Sequence, residues 1–162
     1  MSRKVLLGYG MFAALSFCTQ GYAAEGKYEG TISCFSGPAE IIQQGEGIVA
    51  GSYASTAMIP GQEGTPYYMT TGRCLGQFTL INGELNESGS CQLWNATGDK
   101  IFGVYTRKGD PAKAEGTWRV VQGTGKLEGM TGEGKYIPIG AFAPVPNVAS
   151  ACHKDRGTYT VK

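Results

Sequence analysis

The chain has 162 residues, 17% of them charged and 41% hydrophobic, with 26 glycines, five cysteines and a single histidine. Its formal net charge is +1, far from the strong positive field of a protein that binds nucleic acid or an anionic membrane. One domain is the natural count, and a chain of this length can bury a real core.

The first element is a targeting signal. Arg3 and Lys4 precede an uncharged apolar run from Val5 to Phe17, and small residues follow at Gly21, Ala23 and Ala24. That is the layout of a secretory signal peptide; the run is too short for a membrane-spanning helix of about 20 residues. Cleavage is expected after Ala23 or Ala24. Leu15 and Ser16 suit a lipid-attachment box at Cys18, but the bulky Phe17 argues against it. The expected organisation is a signal peptide over residues 1–24 and one domain over residues 25–162, secreted or periplasmic, with no membrane insertion after cleavage. Without Arg3 and Lys4 the mature chain has twelve basic and thirteen acidic residues, a net charge of −1.

Cys34, Cys74, Cys91 and Cys152 remain. An even number in an exported domain reads as two disulfides. No two are close enough in sequence for a metal knuckle. The lone pair Cys152-His153 is too little for a zinc site or a thiol nucleophile. No metal or cofactor is therefore expected.

Helical periodicity is nearly absent. Short alternating segments separated by glycine, asparagine and aspartate predict strands instead. In chain order these are Lys27–Phe35, Glu46–Ala57, Tyr67–Thr71, Arg73–Ile81, Gly89–Trp94, Lys100–Arg107, Gly116–Val121, Gly132–Pro138 and Gly157–Lys162. In the first, alternation puts Tyr28, Gly30, Ile32 and Cys34 on one face. Eight or nine short strands argue for an all-β sandwich or closed barrel. Turns are expected at Asn82-Gly83, Thr97-Gly98-Asp99 and Lys108-Gly109-Asp110-Pro111, with the aspartates serving turn chemistry.

Asn82-Gly83 has the residue types of a two-residue type I′ turn. Ile81 then pairs with Glu84, and counting outward puts Cys74 opposite Cys91 in a non-hydrogen-bonded pair, where side chains approach closely. This predicts Cys74–Cys91 and leaves Cys34–Cys152, which ties an early strand to the region before the last one. Ile137 to Ala151 has no charged residue and three prolines, and reads as a stiff apolar loop packed over one barrel end.

Gly116 to Tyr136 is rich in glycine and holds Gly-Thr-Gly-Lys. A phosphate-binding Walker loop needs lysine followed by serine or threonine at the start of a helix. Here Leu127 follows Lys126 and no helical pattern follows. A dinucleotide fingerprint fails too, because Gly129 comes one residue late after Gly123 and Gly125. Gly116, Trp118 and Val120 alternate along a strand, and the later glycines suit a turn, bulges or close backbone approach.

The run from Trp118 to Gly129, continued by Gly132-Glu-Gly-Lys-Tyr136, resembles the corresponding segment of allene oxide cyclase-like and dirigent-like β-barrels. It is similar also to small exported bacterial proteins, whose hairpin ending in a Gly-Asp turn matches Gly89 to Asp99. The resemblance covers the chain from Arg73 onward. It implies a closed antiparallel barrel of about eight strands with a central cavity, often in homotrimers. Plant members guide or catalyse ring closure or radical coupling of small hydrophobic substrates.

The leading functional expectation is an exported, non-catalytic barrel that binds a small hydrophobic molecule or an envelope partner. Tyr28, Phe78, Tyr105, Trp118 and Tyr136 are the candidate cavity-lining residues, although alternating aromatics on strands commonly serve as core. A cyclase or isomerase would need an ionisable group facing inward, for instance Glu29, Glu87 or Arg119. Alternation turns Glu29 and Arg119 away from the faces of Tyr28 and Trp118. A third reading makes the charge-free Ile137–Ala151 segment the contact surface of an envelope module.

Overall fold

A computed structural model describes residues 25–162; the expected signal peptide, with Cys18, lies outside the described residues. Eight strands follow one another in the chain: β1 Glu25–Gly45, β2 Ile48–Ile59, β3 Thr70–Ile81, β4 Glu84–Trp94, β5 Lys100–Gly109, β6 Gly116–Gly123, β7 Thr131–Val145 and β8 Val148–Thr160. Each pairs antiparallel with the next, and β8 returns to β1 to close the barrel. Closure satisfies both edges of a sheet that would otherwise leave them open.

The Asn82-Gly83 turn sets the β3–β4 register as its chemistry requires. Both residues have positive φ, 50° and 85°, the type I′ signature. Ile81 pairs with Glu84 and Cys74 with Cys91, and these two cysteines form a disulfide. Cys34 and Cys152 form the other, across β1 and β8. The two bridges lie on opposite sides of the wall: Cys74 is buried in the core, whereas Cys34 and Cys152 alternate with inward Ser33, Phe35 and His153 and so face outward.

Three strand expectations are corrected. Tyr28 does not share a face with Ile32 and Cys34, because Gly30 is an extra residue in the β1–β8 ladder, with φ 72°. The bulge switches the alternation: Tyr28 faces in, then Ser33 and Phe35, while Ile32 is exposed. The Tyr67–Thr71 segment is strand only from Thr70. Pro60 and two glycines with positive φ, Gly61 and Gly64, break the chain before it, so Thr65, Pro66 and Tyr67 tuck inward and are buried. Ile137 to Ala151 is no loop: it forms the turn half of the β7–β8 hairpin. Its prolines are tolerated because Pro138 and Pro144 fall at the two irregularities of the ladder and Pro146 at the turn.

The core occupies one end of the barrel. Tyr28, Ala57, Ile59, Tyr67, Cys74, Leu93, Ile101, Leu127, Met130 and Tyr159 pack together there. Leu127 comes from a single 3₁₀ turn, Gly125–Leu127, which bends the glycine-rich stretch between β6 and β7. Thr124 holds the bend to β5 through two hydrogen bonds with Lys100, each 3.0 Å. Lys126 is exposed, the place of a solvated turn residue. Asn95 is buried in the turn after β4: its Oδ1 accepts hydrogen bonds from the Thr97 and Asp99 amides.

Candidate functional site

Above that core the barrel is hollow. A cavity of about 510 Å³ runs between the inner faces of the strands, within the range of small-molecule sites. Its wall is mainly apolar, with Phe35, Ile59, Leu85, Leu93, Ile101 and Val120 among the lining residues. Tyr28, Phe78, Tyr105, Trp118 and Tyr136 all line it as well, so the structure brings the five candidate aromatics into one space.

Into this apolar wall the strands insert two polar groupings. The first is a chain of hydrogen bonds across β2, β4 and β5. Tyr53 donates to Glu87 Oε1 at 2.5 Å, Tyr105 lies 2.7 Å from the Tyr53 hydroxyl, and Arg107 Nε donates to Glu87 Oε2 at 2.9 Å. Because Tyr53 has spent its one proton on Glu87, Tyr105 is the donor to Tyr53. Burial, with the Glu87 charge close by, raises Tyr53 far above the ordinary phenol range. Burial also lifts Tyr105, to about 12, against the opposing hydrogen bond to Tyr53.

Glycine makes room for these hydroxyls. Gly76 and Gly89 are directly paired on β3 and β4. A Cβ on Gly89 would meet the Tyr105 hydroxyl at 2.2 Å, and one on Gly76 would meet the Tyr53 ring at 2.4 Å. Any larger residue would expel the phenols from the wall.

The second grouping is on β8 and β1. Asp155 is 7% exposed and accepts a hydrogen bond from Ser33. Burial raises its carboxyl to about 6, the Ser33 bond pulling the other way. His153 lies two residues along the same strand face. Burial lowers it to about 4, with Arg107 adding to the effect, so it is neutral at neutral pH. Its ring packs against Tyr136 and Phe35, with centroids 4.8 and 5.3 Å away.

Of the three ionisable candidates, Glu87 faces the cavity, Glu29 is exposed, and Arg119 is exposed but borders the cavity. Sequence reasoning missed Tyr53, Arg107, His153 and Asp155. The available signal was the period-2 spacing of Ala151, His153, Asp155 and Gly157, which all share the inner face of β8. Reading that strand as starting at Gly157 cut the pattern off. Among the described residues no group of three histidines, cysteines or acids stands close enough to hold a metal ion.

These features define a closed eight-stranded barrel with a largely apolar central cavity. No protein-family model matches the chain, and no curated protein matches it. Among solved structures it is similar to a pterocarpan synthase dirigent protein, with a TM-score of 0.51 over 93% of this chain and 98% of that one. The two are 11% identical, so the likeness is one of fold: a dirigent-like barrel.

Proposed function

We propose that the protein is an exported, non-catalytic barrel that holds a small hydrophobic molecule in its central cavity. The observation that carries this is the cavity itself, about 510 Å³ of space walled by strands that elsewhere fill their interior with side chains. The two disulfides fit an oxidising compartment, in keeping with the signal read from residues 1–24. Among the described residues no helix is long and apolar enough to cross a membrane.

The test is a titration with neutral ring compounds, read by side-chain NMR at the five aromatics and by Trp118 fluorescence in a Trp94→Phe background. Saturable shifts at Tyr28, Phe78, Tyr105, Trp118 and Tyr136 are expected. An absence of shifts at all five overturns the reading. A second reading, a cyclase or isomerase working in the same space, draws on Asp155, a buried carboxylate with a raised pKa. A ligand that binds but is recovered unchanged excludes it for that ligand. Docking of an envelope partner would draw on β7, where Ile137, Ile139 and Val145 are exposed.

A further inference from the structure

The two polar groupings of the cavity differ in how well they are satisfied. Glu87 is neutralised by Arg107 and bonded by Tyr53. Arg107 is in turn committed to Glu87 and to the Pro111 carbonyl. That set is closed and carries no net charge.

Asp155 is open by comparison. Its bond to Ser33 occupies one oxygen, and among the described residues no basic side chain pairs with it. The titratable groups that face it are Tyr28 from β1, Tyr67 from the loop after β2 and Tyr136 from β7, each of which feels its charge. On β8 itself the neighbour on the inner face is the neutral His153. A buried carboxylate without a counter-charge costs several kcal/mol in principle, which a cation would offset.

One further group near it is unfulfilled. The hydroxyl of Tyr67, which feels the Asp155 charge, is buried in the cavity wall and has no hydrogen-bond partner; the unpartnered hydroxyl of Tyr136 lies over Gly116 of β6, toward Glu87. Around Tyr67 stand aromatic faces: Tyr28 is 4.5 Å from Tyr67 and 6.0 Å from Trp118, centroid to centroid.

We propose that the molecule this cavity takes is a primary amine on an apolar body, with its ammonium seated against Asp155 and beside Tyr67. The inference rests on the reading of the cavity as a small-molecule site and names the chemistry of its occupant. An ammonium offers three donors and no acceptor. The free oxygen of Asp155 and the Tyr67 hydroxyl offer two buried acceptors. The surrounding rings add cation–π attraction, and the apolar wall covers the rest of the molecule. A carboxylate ligand would meet Asp155 as a like charge, and a neutral one would leave it uncompensated.

The experiment compares three probes that share a phenylethyl body: 2-phenylethylamine, its neutral isostere propylbenzene, and 3-phenylpropionate. Calorimetry and Trp118 fluorescence in the Trp94→Phe background read binding at pH 7.5. The amine is expected to bind about 10- to 100-fold more tightly than propylbenzene, the size of a charge-assisted hydrogen bond, and the carboxylate most weakly. Taking the unaltered chain to pH 5 protonates Asp155 and weakens the amine about tenfold, the pKa being about 6, without moving propylbenzene. Asp155→Asn abolishes the preference for the amine and keeps propylbenzene binding. Equal binding of amine and propylbenzene overturns the inference and leaves the cavity reading intact. Binding of none of the three overturns both. A preference that survives both Asp155→Asn and acid overturns the assignment to Asp155.

Discussion

Cys34 of β1 and Cys152 of β8 stand directly opposite each other, bridged with their Cα atoms 4.1 Å apart. The bond fastens the first strand to the last across a sequence separation of 118, whereas Cys74–Cys91 closes a separation of only 17. By the chain-entropy argument the long loop is worth about 4–5 kcal/mol and the short one about 3. Urea unfolding of the Cys34→Ala/Cys152→Ala variant should therefore show a loss of about 4–5 kcal/mol. A loss below about 1 kcal/mol would mean that the β1–β8 ladder closes the barrel without the bond.

Asp155 and His153 pull stability in opposite directions with pH. The folded state holds Asp155 protonated up to about pH 6, above its ordinary range, so its contribution is present in acid and is lost between about pH 4 and 6. His153 stays neutral down to about pH 4, so its contribution is lost as pH falls through that same window. Each amounts to about 3 kcal/mol in magnitude, and together they largely cancel. Asp155→Asn leaves the His153 slope alone: its melting temperature should drop steeply from pH 6.5 to 4, while the parent's changes little. Parallel profiles for the two would refute the opposition.

The Glu87–Arg107 pair should behave as a unit. Both side chains are 12% exposed. Arg107→Met strands a carboxylate in the wall and should cost about 3 kcal/mol. Adding Glu87→Leu should recover most of that loss. A double-mutant cycle measures it, and simple additivity of the two changes would show that they act independently.

Leu127 has no exposed surface and seals the core end of the barrel beneath the cavity. Leu127→Ala should cost about 2–5 kcal/mol in chemical denaturation, as for a buried leucine whose site cannot collapse. A smaller loss would show that the glycine-rich bend sinks to fill the gap.

How far the sequence carries can be followed residue by residue. Asn82-Gly83 made one hairpin, its register and one disulfide legible, because two positive φ angles are a local demand that only a few residue types meet. Phe78, Tyr105, Trp118 and Tyr136 were legible as inward-facing for a related reason: alternation survives wherever a strand is regular, as it does not around Tyr28, where the Gly30 bulge interrupts it. Ile137 to Ala151 was not legible, because proline normally ends a strand and only the partner's register shows where an irregularity can absorb one. Asp155 and His153 escaped because an ionisable residue on a strand is normally solvated. Their burial depends on which face of β8 meets the closed interior, a property of the whole barrel.

Gly30 has a consequence that reaches beyond its own bend. As an unpaired extra residue it works as a parity bit for β1: inside positions are even-numbered at Tyr28 and odd-numbered from Ser33 on. Ser33, the partner of Asp155, owes its inward direction to that single offset. Deleting Gly30 would leave composition and hydrophobicity almost untouched, yet force either Tyr28 or the whole Ser33–Phe35 stretch to change sides. Length in this strand is therefore information, and a one-residue gap there would rewrite the cavity more thoroughly than most substitutions within it.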